Sequence, residues 1–239
     1  MEIKSLIAMK AVLIDFGGTI DTDGRHWYKV FKQAYSCVAP AIEDALLRQA
    51  YVYAERTLGK NPIINSQFTF CKTLETKLSL QAIFLRENGC PVTEVQSKQI
   101  LNSCYSVVTS NINKVARPEL ESLSERCPLM LVTNFYGNMN SVLKEFGIDR
   151  YFTGIVESAV EGVRKPNPDI FRLAVNRLGV LPADAVMIGD SLSKDILPAI
   201  EVGCKTIWLK GEQWEDESVS ATCSPDYIVS TLQGVSNLF

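Results

Sequence analysis

Short runs of consecutive apolar residues, each running into a polar or glycine-bearing turn, recur along the chain. They are Ala11-Val12-Leu13-Ile14 before Asp15, Leu129-Met130-Leu131-Val132 before Thr133-Asn134, Ala185-Val186-Met187-Ile188 before Gly189-Asp190, and Thr206-Ile207-Trp208-Leu209 before Lys210-Gly211. Apolar runs of this length without alternation predict strands buried on both faces. Between them the apolar positions change to helical spacing, over Pro118–Arg126, Met139–Phe146, Pro168–Leu178 and Ser193–Val202. Strands alternating with helices of this length imply βαβ crossovers, and so an α/β fold with a Rossmann-like, doubly wound parallel sheet. The polar stretch from Lys210 to Pro225 reads as a surface loop before a short last strand at Tyr227-Ile228-Val229.

The stretch from Arg25 to Asn111 has a different texture, with helical spacing and no continuous strand run. Ala41 to Gly59 places Ile42, Leu46, Ala50, Tyr53 and Ala54 along one stripe. Further helices are expected over Phe68–Glu87 and Thr93–Thr109, with Asn88-Gly89-Cys90-Pro91 as the turn between them. The pattern predicts an all-helical insert, residues 23–111, lodged in the first βα connection of a core made of residues 1–22 and 112–239. Its apolar stripes are read as its own core.

Composition narrows the partners. The chain has 239 residues, of which 46% are hydrophobic, enough for one large domain or two modest ones. A net charge of -3 and the lack of a Lys/Arg block give no field to attract nucleic acid, so any anionic substrate must be held by local charges. The stretch Met1–Lys10 is too short and too charged for a signal peptide, and no apolar run reaches membrane-spanning length. A cytoplasmic protein without membrane contact is expected, with its oligomeric state unspecified. Seven cysteines (Cys37, Cys71, Cys90, Cys104, Cys127, Cys204 and Cys223) form an odd set without a C-x-x-C pair, which predicts reduced thiols, most of them buried, rather than disulfides or zinc.

Four segments carry candidate chemistry: Asp15 with Phe16-Gly17-Gly18-Thr19, Thr133-Asn134, Lys165-Pro166-Asn167-Pro168, and Gly189-Asp190-Ser191 with Asp195. Each is also ordinary turn or helix-start chemistry when taken alone. The first places a carboxylate at the carboxyl end of a buried strand, where open α/β sheets bind ligands. In this order and at these strand ends, the four resemble the motifs of the haloacid dehalogenase (HAD) superfamily, dominated by phosphatases and phosphomutases with an aspartate nucleophile. The resemblance spans nearly the whole chain, the insert matching that family's helical cap.

The resemblance implies Asp15 as a nucleophile that forms an aspartyl-phosphate, and a Mg²⁺ shared by Asp15, Asp190 and the backbone carbonyl of Gly17. It implies Lys165 as the ammonium facing Asp15 and the phosphoryl oxygens, with the Thr133 hydroxyl and Asn134 amide as donors to the same oxygens. Asp195 is expected to orient Lys165 or a metal-bound water, and Gly18, Thr19 and Trp27 to contact a small phosphorylated substrate. These roles suit phosphoryl transfer, which needs an in-line nucleophile, positive charge on the equatorial oxygens and a metal that fixes geometry.

One position departs from the pattern. The family's phosphatases carry a general acid and base aspartate two residues after the nucleophile; here that residue is Gly17. Glycine retains the backbone carbonyl for a metal but removes the proton donor, a loss of about 10² to 10⁴ in rate. Asp21, Asp23 or His26 could replace the donor, or the substrate could have a leaving group that needs none. Alternatives are a dehalogenase, against which Asp190 argues because those relatives use no metal, and a phosphonate hydrolase, whose Schiff-base lysine would come from Lys29, Lys32, Lys60, Lys72 or Lys77. A catalytically weakened phosphate- or metal-binding regulatory protein is a further alternative. A single histidine excludes a multi-histidine metal site, and no P-loop or G-x-G-x-x-G fingerprint occurs.

Overall fold

The apolar runs lie side by side in a six-stranded, wholly parallel sheet. The computed structural model describes residues 9–214 and 224–239. Met1–Ala8 and the part of the expected loop that holds Cys223 lie outside the described residues. The chain runs through β1 (Ala11–Ile14), α1 (Trp27–Val38), α2 (Asp44–Lys60), α3 (Phe70–Glu87), α4 (Glu94–Asn111) and α5 (Arg117–Ser124). It continues through β2 (Leu129–Thr133), α6 (Met139–Phe146), β3 (Gly154–Glu157), α7 (Ser158–Glu161) and α8 (Asp169–Leu178). The last elements are β4 (Ala185–Gly189), α9 (Leu197–Val202), β5 (Lys205–Leu209) and β6 (Tyr227–Val229).

Strand order is β3-β2-β1-β4-β5-β6, so the chain leaves β1 toward one edge and returns to β4 on its other side. That reversal creates a crevice at the carboxyl ends of β1 and β4. Register makes the crevice chemical. Ile14 lies opposite Leu131 and Ile188, so the residues after β1, β2 and β4 emerge together. The Asp15 amide continues the ladder by donating to the Ile188 carbonyl at 3.0 Å.

Successive strand residues point to opposite faces, and both faces are buried. Val12, Ile14, Leu129, Leu131, Val186 and Ile188 join a large core shared with the insert helices. Ala11, Leu13, Met130, Val132 and Met187 pack instead against Ile170, Phe171, Ala174 and Val175 of α8. Burial on both faces is why these strands read as unbroken apolar runs.

Three details differ from the sequence-based expectations. β3 is an edge strand whose short Gly-Ile-Val-Glu stretch carries too little apolar signal to stand out. In α2 the buried stripe is Leu47, Ala50, Ala54 and Leu58, while Ile42, Leu46 and Tyr53 are half-buried; two residues of the expected stripe are kept and the rest shift by about one position. Of the six described cysteines, all free, Cys104, Cys127 and Cys204 are buried, but Cys37 is exposed and Cys71 and Cys90 are half-buried.

The helices of the insert pack as α2 on α3 and α1 on α4. The start of α3 is tied to α6 by polar contacts. Asn138 donates to the Phe68 carbonyl and the Thr73 hydroxyl, both at 2.8 Å, Ser141 donates to the Ser66 carbonyl at 2.7 Å, and Glu145 accepts the Phe70 and Cys71 amides. Among the described residues, no helix is long and apolar enough to cross a membrane.

Candidate active site

At the crevice, Asp15, Asp190 and Asp195 converge with carboxylate oxygens within 4.8 Å of one another, and all three side chains are buried. Lys165 reaches them from the loop before α8. Its Nζ donates to Asp15 Oδ1 at 2.5 Å, to Asp195 Oδ1 at 2.6 Å and to the Val132 carbonyl at 3.1 Å, using all three of its protons. The second oxygen of Asp195 accepts the Ser191 amide at 3.1 Å, so this carboxylate is committed to positioning.

Two glycines let the backbone approach this closely. Gly18 has φ +93°, and a Cβ there would fall 2.3 Å from Asp190 Oδ2. A Cβ on Gly189 would fall 2.5 Å from that of Asp195. The turn Phe16–Ile20 therefore wraps directly onto Asp190. Thr19 sits beneath it, its hydroxyl accepting the Asp190 amide at 3.0 Å and lying 3.3 Å from Asp190 Oδ1 and 3.5 Å from Asp15 Oδ2.

Three carboxylates around one ammonium leave an excess of buried negative charge. Burial pushes the Asp15 carboxyl up to about 7 despite the opposing Lys165. Burial, reinforced by Asp195 and Asp15, holds Asp190 well above the usual carboxylate range. Burial also works against the charge of Lys165, yet Asp15 and Asp195 keep it above an ordinary lysine. Such a set of hard oxygen donors with unbalanced charge fits a divalent cation of the Mg²⁺ type.

The remaining expected residues divide. Thr133, Gly17, Gly18 and Trp27 line a cavity of about 1380 Å³ above Asp15. Asn134 also borders it, but its amide is engaged elsewhere: Nδ2 donates to the Lys165 carbonyl and Oδ1 accepts the Lys165 amide, each at 2.9 Å. It clamps the lysine backbone rather than offering its amide to Asp15. Thr19, expected at the substrate, lies under the carboxylates and holds them.

The candidate proton donors divide too. Asp21 is buried, pushed up to about 6 by that burial, and holds the loop by accepting the Gly18 amide and the Trp27 indole N–H. Asp23 ties the same loop to Thr231 and Leu232. His26 alone of the three borders the cavity. Among the lysines considered for a Schiff base, Lys60 and Lys77 reach the cavity, and Lys29, Lys32 and Lys72 do not. Two groups that motif spacing gave no reason to single out also line it: Glu55 on α2, and Tyr136, an aromatic three residues beyond Thr133.

His26 yields a direct check on this environment. Its Nδ1 accepts the Tyr28 amide at 3.2 Å, capping α1, and its ring packs edge-on against Trp214 and Tyr51. Burial, helped by Lys194, lowers its pKa from 6.5 to about 4. The unfolded chain then binds more protons between those values, so this group's stabilisation is complete above about 6.5 and is lost as pH falls through about 4. As the chain's one histidine, its ring resonances in proton NMR are expected to titrate near pH 4, and His26→Asn should flatten the acid limb of stability against pH. A midpoint near 6.5 would contradict the burial described.

A buried lysine is thus held between two aspartates, beside a third, at the switch point of a Rossmann-like sheet. Residues 9–203 match the sequence profile of the haloacid dehalogenase-like hydrolases, and the chain belongs to that family. It is 31% identical over 198 residues to haloacid dehalogenase-like hydrolase domain-containing protein 3 of Mus musculus, covering 80% of this chain and 78% of that protein. Glyceraldehyde 3-phosphate phosphatase of Pyrococcus furiosus is 36% identical over 85 residues, covering 36% of this chain and 35% of that phosphatase. The chain thus matches about a third of that relative's own length. In fold it resembles a crystallised dehalogenase with a TM-score of 0.66, at 16% identity and 98% coverage of both chains. The family is one of hydrolases, and phosphatases are among the chain's relatives.

Proposed function

We propose that the protein is a Mg²⁺-dependent phosphatase acting on a small phosphorylated metabolite through an aspartyl-phosphate on Asp15. The observation that carries this reading is the Lys165 ammonium joining Asp15 to Asp195 at the carboxyl end of β1, with Asp190 alongside.

Asp15 attacks phosphorus, and the bond from phosphorus to the ester oxygen breaks as the new one forms. Lys165 faces the phosphoryl oxygens while fixing the orientation of Asp15, and the Asn134 clamp keeps that lysine in place. Thr133 offers its hydroxyl to the same oxygens. Water then attacks phosphorus, releasing phosphate and regenerating Asp15. Asp15, Asp190 and the Gly17 carbonyl would hold the cation, which when bound neutralises charge on the carboxylates and the phosphoryl group. Helices α1 to α4 act as a cap that excludes bulk water from the cavity.

Two alternatives lose support. Asp190, drawn to within 4.8 Å of Asp15, has no purpose in metal-free halide displacement. Lys77, the better-buried cavity lysine, contacts Glu55 at 2.8 Å and is held above the ordinary lysine pKa, where its amine is protonated and unable to form a Schiff base.

The test is hydrolysis of 4-nitrophenyl phosphate, whose leaving group needs no acid. Turnover that requires added Mg²⁺ and stops on chelation is expected. No turnover with Mg²⁺, or metal-independent release of halide from a 2-haloacid, would overturn the reading.

A further inference from the structure

The cavity over Asp15 holds about 1380 Å³, several times what a phosphoryl group needs, and one of its walls is built by α2, α3 and the loop after β2. A polar cluster faces inward from that wall. Lys77 of α3 lies 2.8 Å from Glu55 Oε1 of α2, and the other oxygen of Glu55 accepts the Tyr136 hydroxyl at 2.9 Å. The Lys77 ammonium also stands 5.1 Å from the centre of the Tyr136 ring. Glu55 and Tyr136 thus aim the lysine from two sides. The ion pair with Glu55 still leaves the ammonium with donors for a ligand in the cavity.

The charges of the two walls differ. On the floor, the buried carboxylates of Asp15, Asp190 and Asp195 outnumber the one buried ammonium, Lys165, with Arg164 and Lys194 exposed at its margin. On the wall of α2 and α3, the described lining residues Lys77, Arg56 and Lys60 stand with a single carboxylate, Glu55. Arg56 and Lys60 make no ion pair among the described residues. His26 and Tyr51, on the same wall, are neutral near pH 7 because burial lowers the first and raises the second. Among the described residues that line this wall, positive charge therefore exceeds negative.

We propose that Lys77, aimed by Glu55 and Tyr136, recognises the organic half of the substrate, and that this half bears a second anionic group, a carboxylate or a second phosphate. The inference rests on the phosphatase reading above. A charge-assisted hydrogen bond from a partly desolvated ammonium favours such a group over a hydroxyl, while the Arg56 and Lys60 charges steer it inward.

Matched substrate pairs test this: phosphoglycolate against ethylene glycol monophosphate for a carboxylate, and a hexose bisphosphate against its monophosphate for a second phosphate. For one pair, kcat/KM is expected to favour the anionic member by about tenfold or more, chiefly through KM. Lys77→Met should collapse that ratio toward one, and Lys77→Arg should keep most of it. If loss of the pair impairs folding, the double variant Glu55→Gln with Lys77→Met removes both charges together and is expected to show the same collapse. A ratio near one for both pairs in the unaltered protein, or a ratio unchanged in Lys77→Met, would overturn the assignment. Absence of 4-nitrophenyl phosphate turnover in the unaltered protein would instead overturn the phosphatase reading beneath it.

Discussion

Asp15→Asn is expected to reduce phosphomonoester turnover by about 10⁴-fold or more, because an amide oxygen cannot replace the carboxylate as nucleophile. The substitution is close to isosteric, so the strand end and the amide bond to Ile188 remain. Its effect on stability should have the opposite sign. A carboxyl pushed up to about 7 by burial contributes stability that is complete below 3.8 and is lost as pH rises through 7. In chelator at pH 8 the neutral variant should therefore unfold at the same temperature as the unaltered protein or higher. Loss of activity with retained stability separates a catalytic carboxylate from a structural one. Residual turnover within about tenfold would remove Asp15 from the nucleophile's role. A large fall in melting temperature would show that its charge supports the fold.

Gly17→Asp is expected to raise turnover of alkyl phosphates by about 10² to 10⁴, the usual worth of a general acid. The structure has room for it. Gly17 is exposed to the cavity with φ −78° and ψ 114°, backbone angles open to any residue, and a Cβ there meets nothing within 4 Å. Turnover of 4-nitrophenyl phosphate should change little, since that leaving group departs without a proton. Comparing the two substrates in the variant and the unaltered protein gives a plain reading. Acceleration confined to poor leaving groups describes a phosphatase of restricted range. Activity appearing where none existed would describe a natural chain that binds a phosphorylated ligand without turning it over. No acceleration would mean that proton donation does not limit the reaction.

Much of the site was legible because its signals are local. An apolar run that ends in Asp, Thr-Asn or Gly-Asp marks a strand end, and Lys-Pro-Asn-Pro marks a helix start, each from a handful of neighbouring residues. The helical insert was legible from periodicity, although the buried stripe of α2 was placed about one residue off because Leu46 and Leu47 both continue an apolar pattern. β3 escaped because four residues at a sheet edge bury too little to leave an apolar run.

The amino-acid sequence by itself determined the α/β alternation, the helical insert, the order of the four motifs and the glycine where a proton donor would stand, because each follows from residues adjacent in the chain. Only the tertiary structure decided that Asn134 grips the Lys165 backbone, that Thr19 braces the carboxylates and that Asp21 secures the loop. It also decided that Glu55, Lys77 and Tyr136 share one wall. Those outcomes depend on strand register and helix packing, which bring together groups as far apart in sequence as Thr19 and Asp190. No local pattern of residue types encodes which way a side chain turns once they meet.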